Sequence, residues 1–376
     1  MHWFIEKIKP YYPKIISKLK PIISPGYSVT IPLNSLESIL SIIEFGGILV
    51  FNEGFKDKFD IDSGFVLSSS GTTGDPKSVL YSFDGFLNKF KNVGYNPVKT
   101  IMIMGLDHIG GMDVYFSVIS RGGLPIFPIK NDPDSICEII ENEKIEFISL
   151  TPTYLNTILM RELYNKYNLS SLKTINFGAE PMTQSLLKRL QNVFPKANFK
   201  QTYGTTETGT LEVERHPENP LLIKIKDSKI IENKLYVKSK SGMIKYLNKE
   251  SPFIDGYFPT GDVVELHDDY LKIIGRESEI VNIGGYKVIP SEVEEILLGL
   301  SFVKDVSVYS EKNTILGNIL IADIVWDSSE KLDSFEKIQL IKNYLKDLKI
   351  NKHKIPSKIK IVEELKLSNR MKKIRC

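Results

Sequence analysis

From Phe65 onward, short apolar runs alternate with amphipathic stretches of helical period, and this alternation confines the chain to layered α/β architectures. A helical bundle would lack the strand-length runs, and a sandwich would lack the helical stripes. Ile101 to Met104, Phe147 to Leu150 and Thr174 to Phe177 read as buried strands. Thr183 to Phe194 reads as a helix, with Leu186, Leu187, Leu190 and Val193 on one face. From Lys234 the texture changes to hairpin-like strands, in which Leu235, Val237 and Tyr246 are interleaved with polar residues. Near Gly275 a second unit begins. Pro290 and Ser291 precede Glu294 in a capping-box spacing, followed by the apolar stripe Ile296, Leu297 and Leu300. Strands over Val303 to Tyr309 and Ile319 to Trp326 follow, then a helix carrying Ile338, Ile341, Leu345 and Leu348. The expected fold is a large N-terminal layered α/β domain, residues 1–275, with a small mobile α+β C-terminal domain, residues 276–376.

Composition narrows the class. The chain has 376 residues, 42% hydrophobic and 25% charged, enough for two domains with a large core. Its formal charge of +3, with Lys and Glu interleaved, gives no case for nucleic-acid binding. Cys137 and Cys376 make neither a disulfide framework nor a metal cluster, so a reducing, cytoplasmic setting is expected. The best candidate for a membrane span, Ile39 to Phe51, is short and carries Glu44, and no signal peptide is recognisable at the N-terminus. Trp3, Phe4, Ile8, Ile15, Ile16 and Leu19 among five lysines could form a weak membrane-surface patch. The preferred reading is a helix docked on its own domain and interrupted by Pro10, Pro13 and Pro21.

Two motifs point to chemistry. Ser68-Ser69-Ser70-Gly71-Thr72-Thr73-Gly74-Asp75-Pro76-Lys77 follows the apolar lead Phe65, Val66 and Leu67, and combines hydroxyls, flexible glycines and a terminal cation. Backbone N–H groups and hydroxyls can wrap phosphate oxygens where glycine lets the main chain turn tightly. It is not a Walker A loop, because no Gly-Lys-Ser/Thr ends it. The second motif, Tyr203-Gly204-Thr205-Thr206-Glu207, sets a hydroxyl and a carboxylate at the end of a strand, where open α/β sheets hold ligands.

Together these segments resemble the adenylate-forming superfamily of acyl-CoA synthetases, adenylation domains and luciferases, and in particular its short forms similar to o-succinylbenzoate-CoA ligase. The resemblance implies an N-terminal AMP-binding domain and a C-terminal lid that carries a catalytic lysine. It implies that Ser70, Gly71, Thr72, Thr73, Gly74 and Lys77 cradle ATP phosphates, that Tyr203 lies beside adenine, that Thr206 meets the α-phosphate and that Glu207 holds Mg²⁺. Gly178-Ala179-Glu180 looks like the adenine-facing turn, and Thr260-Gly261-Asp262 with Gly275-Arg276 looks like the ribose-holding pair. Gly284 and Gly285 open the segment that resembles the passage for a pantetheine arm. His108 and Gly110, in Asp107-His108-Ile109-Gly110-Gly111, resemble an acyl-pocket motif. At the end, Leu367 to Arg375 corresponds to the terminal lysine motif; aligning Arg375 puts Lys372 on the catalytic lysine, with Lys373 as the competitor.

The implied reaction couples a small-molecule carboxylic acid to AMP and passes the acyl group to a thiol, CoA or the phosphopantetheine of an acyl carrier protein. Two departures stand out. Only 67 residues precede Ser68, so part of the first subdomain is expected to be missing, and Ser278 occupies the hinge position usually held by Asp or Lys. An ATP-dependent acyl-CoA ligase leads; a stand-alone adenylation enzyme that loads a carrier protein and a non-catalytic nucleotide-binding relative are the alternatives.

Overall fold

Five parallel strands form the centre of the N-terminal part, in the order Leu124–Ile126, Lys99–Ile101, Phe147–Leu150, Thr174–Phe177 and Asn198–Gln201. The computed structural model describes residues 2–25, 27–30, 36–51, 58–69, 76–314, 316–327, 332–368 and 373, and of Ser69 the backbone only. The helices between these strands start where the sequence dictates. Asp132, Thr151 and Thr183 each accept a hydrogen bond from a first-turn N–H, and Pro133 and Pro152 take the opening helical position, where no N–H is needed. These helices, Pro133–Glu143, Pro152–Met160 and Gln184–Val193, bury Ile136, Ile140, Ile158, Leu187 and Leu190 against Ile148 and Ile175 of the sheet. The strand expected at Ile101 to Met104 is instead Lys99–Ile101. Ile103 N donates back to Ile101 O, which turns the chain out of the sheet and toward the helix Ile109–Ile119.

A second sheet lies alongside, ordered Ser28–Thr30, Gly47–Val50, Ser63–Ser69, Lys77–Ser82 and Lys245–Tyr246. The apolar run Ile39 to Phe51 belongs to two elements, the helix Leu36–Phe45 and the strand Gly47–Val50. Gly46 and Gly47, at φ +94° and +120°, make the break. Among the described residues no helix is long and apolar enough to cross a membrane. The N-terminal helix His2–Ile8 is docked, with Phe4, Ile5 and Ile8 buried in the same core as Phe65, Tyr81 and Phe116. A third, antiparallel sheet runs from Glu214 to Arg276. The pairing expected around Leu235, Val237 and Tyr246 is split. Lys234–Val237 joins the third sheet while Lys245–Tyr246 crosses to the second, pairing Tyr246 with Val79.

The small C-terminal domain has its own core, in which Val293, Leu297, Val306, Ile324, Ile341 and Leu345 meet. Val303–Asn313 and Gly317–Trp326 form a long antiparallel pair, and Lys358–Val362 adds in parallel. Two expectations fail here. Glu294 makes no capping box; it is buried and accepts from Val308 N at 2.9 Å, while Ser291 donates to the Ile274 carbonyl. The reciprocal box belongs to Asp333 and Glu336, at the start of Ser334–Asp347. Leu348 lies just past that helix and is exposed, because the apolar stripe ends with the last turn. The domain rests on the helix Gln184–Val193: Gln184 N donates to Glu295, Ser185 Oγ to Leu298 O, and Arg189 Nη1 to Lys304 O.

Candidate active site

The carboxyl ends of the parallel strands open onto one edge, the place where an open α/β sheet leaves backbone groups unpaired and accessible. Asn198–Gln201 runs into Thr202 and Tyr203 there. Thr174–Phe177 runs into Gly178, whose absent Cβ matters. A side chain at Gly178 would lie 2.6 Å from Thr202 Oγ1 and 2.7 Å from its carbonyl oxygen, so glycine lets the two strand ends touch. Ala179 follows in the left-handed region at φ +65°, a conformation that costs an alanine energy and sets the turn sharply. Glu180 turns its carboxylate away, accepting from Thr153 N at the head of the next helix.

Tyr203 is buried and donates its hydroxyl to Asp262 Oδ2 at 2.6 Å. Asp262 and Arg276 face each other across the antiparallel pair Phe258–His267 and Tyr270–Arg276, and Arg276 Nε reaches Asp262 Oδ1 at 2.7 Å. Burial pushes the Asp262 carboxyl above its ordinary range, with the Arg276 charge opposing it. Burial and the neighbouring carboxylate push the Tyr203 phenol well up, so it stays a donor.

Glu207 sits in a turn knitted by hydroxyls. Thr205 Oγ1 accepts from Glu207 N and Thr208 N, Thr208 Oγ1 accepts from Thr205 N, and Tyr81 donates to Thr206 O at 2.6 Å. Its carboxylate accepts from the Tyr246 hydroxyl at 2.7 Å and lies 3.8 Å from Lys77 Nζ. Thus the last residue of the serine-glycine-threonine segment and the carboxylate of the Tyr-Gly-Thr-Thr-Glu segment meet, although 130 positions separate them in the chain. A single well-held carboxylate suits Mg²⁺, which keeps most of its waters and takes further oxygens from substrate phosphates. Among the described residues no group of three His, Cys, Asp or Glu could enclose a metal by itself.

The other sequence-selected residues fall in different places. Gly110 lines a cavity next to Thr202 and Thr210, whereas His108 stands at the N-terminus of the helix Ile109–Ile119 beside Asp107. Gly284 and Gly285 form the two-residue turn of the hairpin Val281–Ile283 and Tyr286–Val288 in the small domain, both at positive φ as such a turn demands. Ser70, Gly71, Thr72, Thr73, Gly74 and Lys372 lie outside the described residues. Lys373, the competitor of Lys372, is engaged elsewhere. Its Nζ pairs with Asp305 Oδ1 at 2.7 Å and donates to Val306 O at 2.7 Å, with both side chains largely buried. Tyr81 and Tyr246 escaped the sequence reading. Each is one tyrosine on an otherwise ordinary strand, and only the pairing of Lys245–Tyr246 with Lys77–Ser82 brings both to the Glu207 turn.

Residues 62–224, which hold all of this edge except Asp262, Arg276 and Tyr246, match the family model described as AMP-binding enzyme. That match covers less than half of the chain, and over it the sequence is similar to AMP-binding enzymes. Beyond residues 62–224 the likeness extends further. A 2-succinylbenzoate–CoA ligase of Listeria monocytogenes serotype 4b (strain F2365) is 26% identical over 332 residues, covering 80% of this chain and 66% of the relative. A 4-coumarate–CoA ligase of Pinus taeda is 27% identical over 299 residues, covering 69% of this chain and 56% of that one. The chain therefore spans just under two thirds of the length of the first and little more than half of the second. In fold, the anthranilate CoA ligase AuaEII in complex with anthranoyl-AMP superposes with a TM-score of 0.81 at 16% identity, over 99% of this chain and 89% of that one.

Proposed function

We propose that this protein is an AMP-forming acid–thiol ligase that activates a carboxylic acid with ATP and passes the acyl group to CoA. The observation that carries the reading is the meeting of Lys77 with Glu207 at 3.8 Å, next to the Tyr203, Asp262 and Arg276 chain. A cation, an acidic metal ligand and a buried ribose acceptor on one strand edge are what a nucleotide triphosphate requires. The names of the two relatives described above, both CoA ligases, support the same reaction class.

The chemistry follows from the acid. A carboxylate is a poor electrophile, because attack by a thiol would have to expel an oxide. In the first step one carboxylate oxygen bonds to the α-phosphorus of ATP, the bond to the β-phosphate oxygen breaks, and pyrophosphate leaves. In the second a thiol sulfur attacks the acyl carbon of the mixed anhydride, AMP leaves with the electron pair, and the thiol proton goes to solvent. Bringing one anion to a polyanion demands positive charge at the α-phosphate and the departing pyrophosphate. Mg²⁺, held through Glu207, would neutralise phosphate oxygens there. Tyr246 keeps the Glu207 carboxylate aimed by donating to Oε1, and Lys77 adds a fixed cation beside it. Thr206 is assigned to the α-phosphate, and Ser70, Gly71, Thr72, Thr73 and Gly74 to the β- and γ-phosphates.

Asp262 accepts the ribose hydroxyls with Arg276 orienting it, and the Gly178-Ala179-Glu180 turn and Tyr203 bound the adenine. Lys372 is the ammonium supplied by the second domain, residues 276–376, to the first, residues 1–275; the commitment of Lys373 to Asp305 favours it over its neighbour. Gly284 and Gly285 flank the pantetheine arm after the domain turns. Exchange of labelled pyrophosphate into ATP that depends on an added acid, followed by thioester formation with free CoA, tests the reading. Exchange without transfer to CoA, but with transfer to a holo-carrier protein, would replace CoA as the acceptor, and absence of exchange with any acid would overturn it.

A further inference from the structure

Three consecutive carbonyl groups of the turn that carries Glu207 are each held by a donor from outside the turn. Tyr81 donates its hydroxyl to Thr206 O at 2.6 Å, Met243 N donates to Glu207 O at 2.8 Å, and Ser239 Oγ donates to Thr208 O at 2.5 Å. From within the turn, Thr205 Oγ1 accepts from the N–H groups of Glu207 and Thr208. Both peptide planes that flank the Glu207 Cα are therefore engaged at the carbonyl and at the N–H, and a planar unit tied at both ends cannot swing. Ser239 ties the next plane along.

The outside donors come from two directions. Tyr81 belongs to the strand Lys77–Ser82, which also supplies Lys77 to the Glu207 carboxylate. Its ring is fully buried and lies flat on Phe65, with the centres 4.8 Å apart, so the hydroxyl has little freedom. Burial, and then the Glu207 charge, push its phenol well above the ordinary range, which keeps it a donor. Ser239 and Met243 lie on the stretch 238–244, by which the chain crosses from the third sheet to the second. That stretch passes close behind the turn only because residue 242 is glycine. A Cβ there would lie 3.0 Å from Glu207 O and 3.2 Å from Ser239 Cβ.

We infer that Tyr81 and Ser239 are positioning residues for the metal-binding carboxylate: they clamp the main chain of the turn from two sides, so that Glu207 meets Mg²⁺ already aimed. The inference rests on the ligase reading, which assigns the metal to Glu207. Neither side chain touches the metal or the nucleotide in this role; each acts through the backbone, and Tyr246 fixes the far end of the same side chain.

Calorimetry of ATP binding to the full chain, once in Mg²⁺ and once in EDTA, tests it, because the ratio of the two affinities is the gain that the metal brings. Tyr81→Phe and Ser239→Ala should each lower that gain by about three- to tenfold, the worth of one hydrogen bond, while affinity in EDTA stays within about twofold of the parent. Ser239→Thr keeps the hydroxyl and should keep the gain. A serine or tyrosine that only supports the fold would lower the urea midpoint and leave the gain unmoved. An unmoved gain in either variant, or a loss in Ser239→Thr equal to that in Ser239→Ala, overturns the inference. So does a parent that shows acid-dependent pyrophosphate exchange but no metal gain, and in all these cases the ligase reading stands. No exchange by the parent with any acid defeats the ligase reading and the inference with it.

Discussion

Replacing Asp262 by asparagine keeps the shape of the side chain and removes its charge, which separates its share in stability from its share in binding. Breaking a buried ion pair usually costs about 3 to 5 kcal/mol, because the surviving charge is left without water. Here the survivor is Arg276, whose side chain is 47% exposed, so the figure for exposed pairs, up to about 1 kcal/mol, applies instead. Tyr203 can still donate to the asparagine Oδ1. The variant also escapes the cost of burying a carboxylate that is 6% exposed, so its stability at pH 7 should stay within about 1 kcal/mol of the parent. The pH dependence has a definite sign. Burial raises the folded-state pKa of Asp262 above the ordinary 3.8, so the folded parent holds the proton more tightly than the unfolded chain. The parent's advantage over Asp262→Asn is therefore fully present below pH 3.8 and is lost as pH rises through the raised folded value. Binding should respond far more strongly. Two ribose hydroxyls donating to a carboxylate are worth about 1.5 to 3 kcal/mol each, so ATP and AMP affinity should fall by at least about a hundredfold. Urea titrations from pH 4 to pH 8 and calorimetry with both nucleotides measure the two effects. Unchanged nucleotide affinity, or a loss of more than about 3 kcal/mol in stability at pH 7, would refute the assignment of Asp262 as a ribose acceptor whose cationic partner stays hydrated.

Other perturbations address the remaining parts of the site. Lys372→Ala should slow pyrophosphate exchange by about a hundredfold or more, yet leave thioester formation from supplied acyl-adenylate nearly intact. Lys373→Ala should instead lower stability by about 3 to 5 kcal/mol by leaving Asp305 buried without its cation, with exchange retained below the melting transition; the opposite pairing of phenotypes would move the catalytic role to Lys373. Tyr246→Phe removes the donor on Glu207 Oε1 and should cut the exchange rate about tenfold with the acid KM unchanged, as steady-state kinetics would report. Ala179→Gly relieves a left-handed alanine at φ +65°, a penalty of about 1 to 2 kcal/mol, but adds unfolded-state freedom; the urea midpoint should rise slightly, and a fall would mean that the turn needs the methyl group.

Several elements were legible from local pattern alone. Apolar runs at Phe147–Leu150 and Thr174–Phe177 became strands of the same extent, because a buried parallel strand needs only a continuous apolar stretch between breaks. Thr183 opens the helix read from the apolar stripe that follows it, its hydroxyl capping the first turn. The Tyr-Gly-Thr-Thr-Glu segment is local in the same way, since its hydroxyls close a turn among themselves.

Where a group's partner is remote in the chain, local pattern carried no information. Pro290 and Ser291 with Glu294 had the spacing of a cap, but a buried carboxylate goes to whichever donor the packing offers, and the strand at Val308 offered one. Tyr81 and Tyr246 acquire their partners only when sheets close, because a hydroxyl is defined chemically by what lies within about 3 Å of it. Lys372 and Lys373 look interchangeable as letters, and nothing local announces that Lys373 pairs with Asp305. The sequence alone determined the layers, through periodicity and turn chemistry. Tertiary structure decided which side chains meet at the strand edge, because charge pairing and desolvation are properties of neighbours in space.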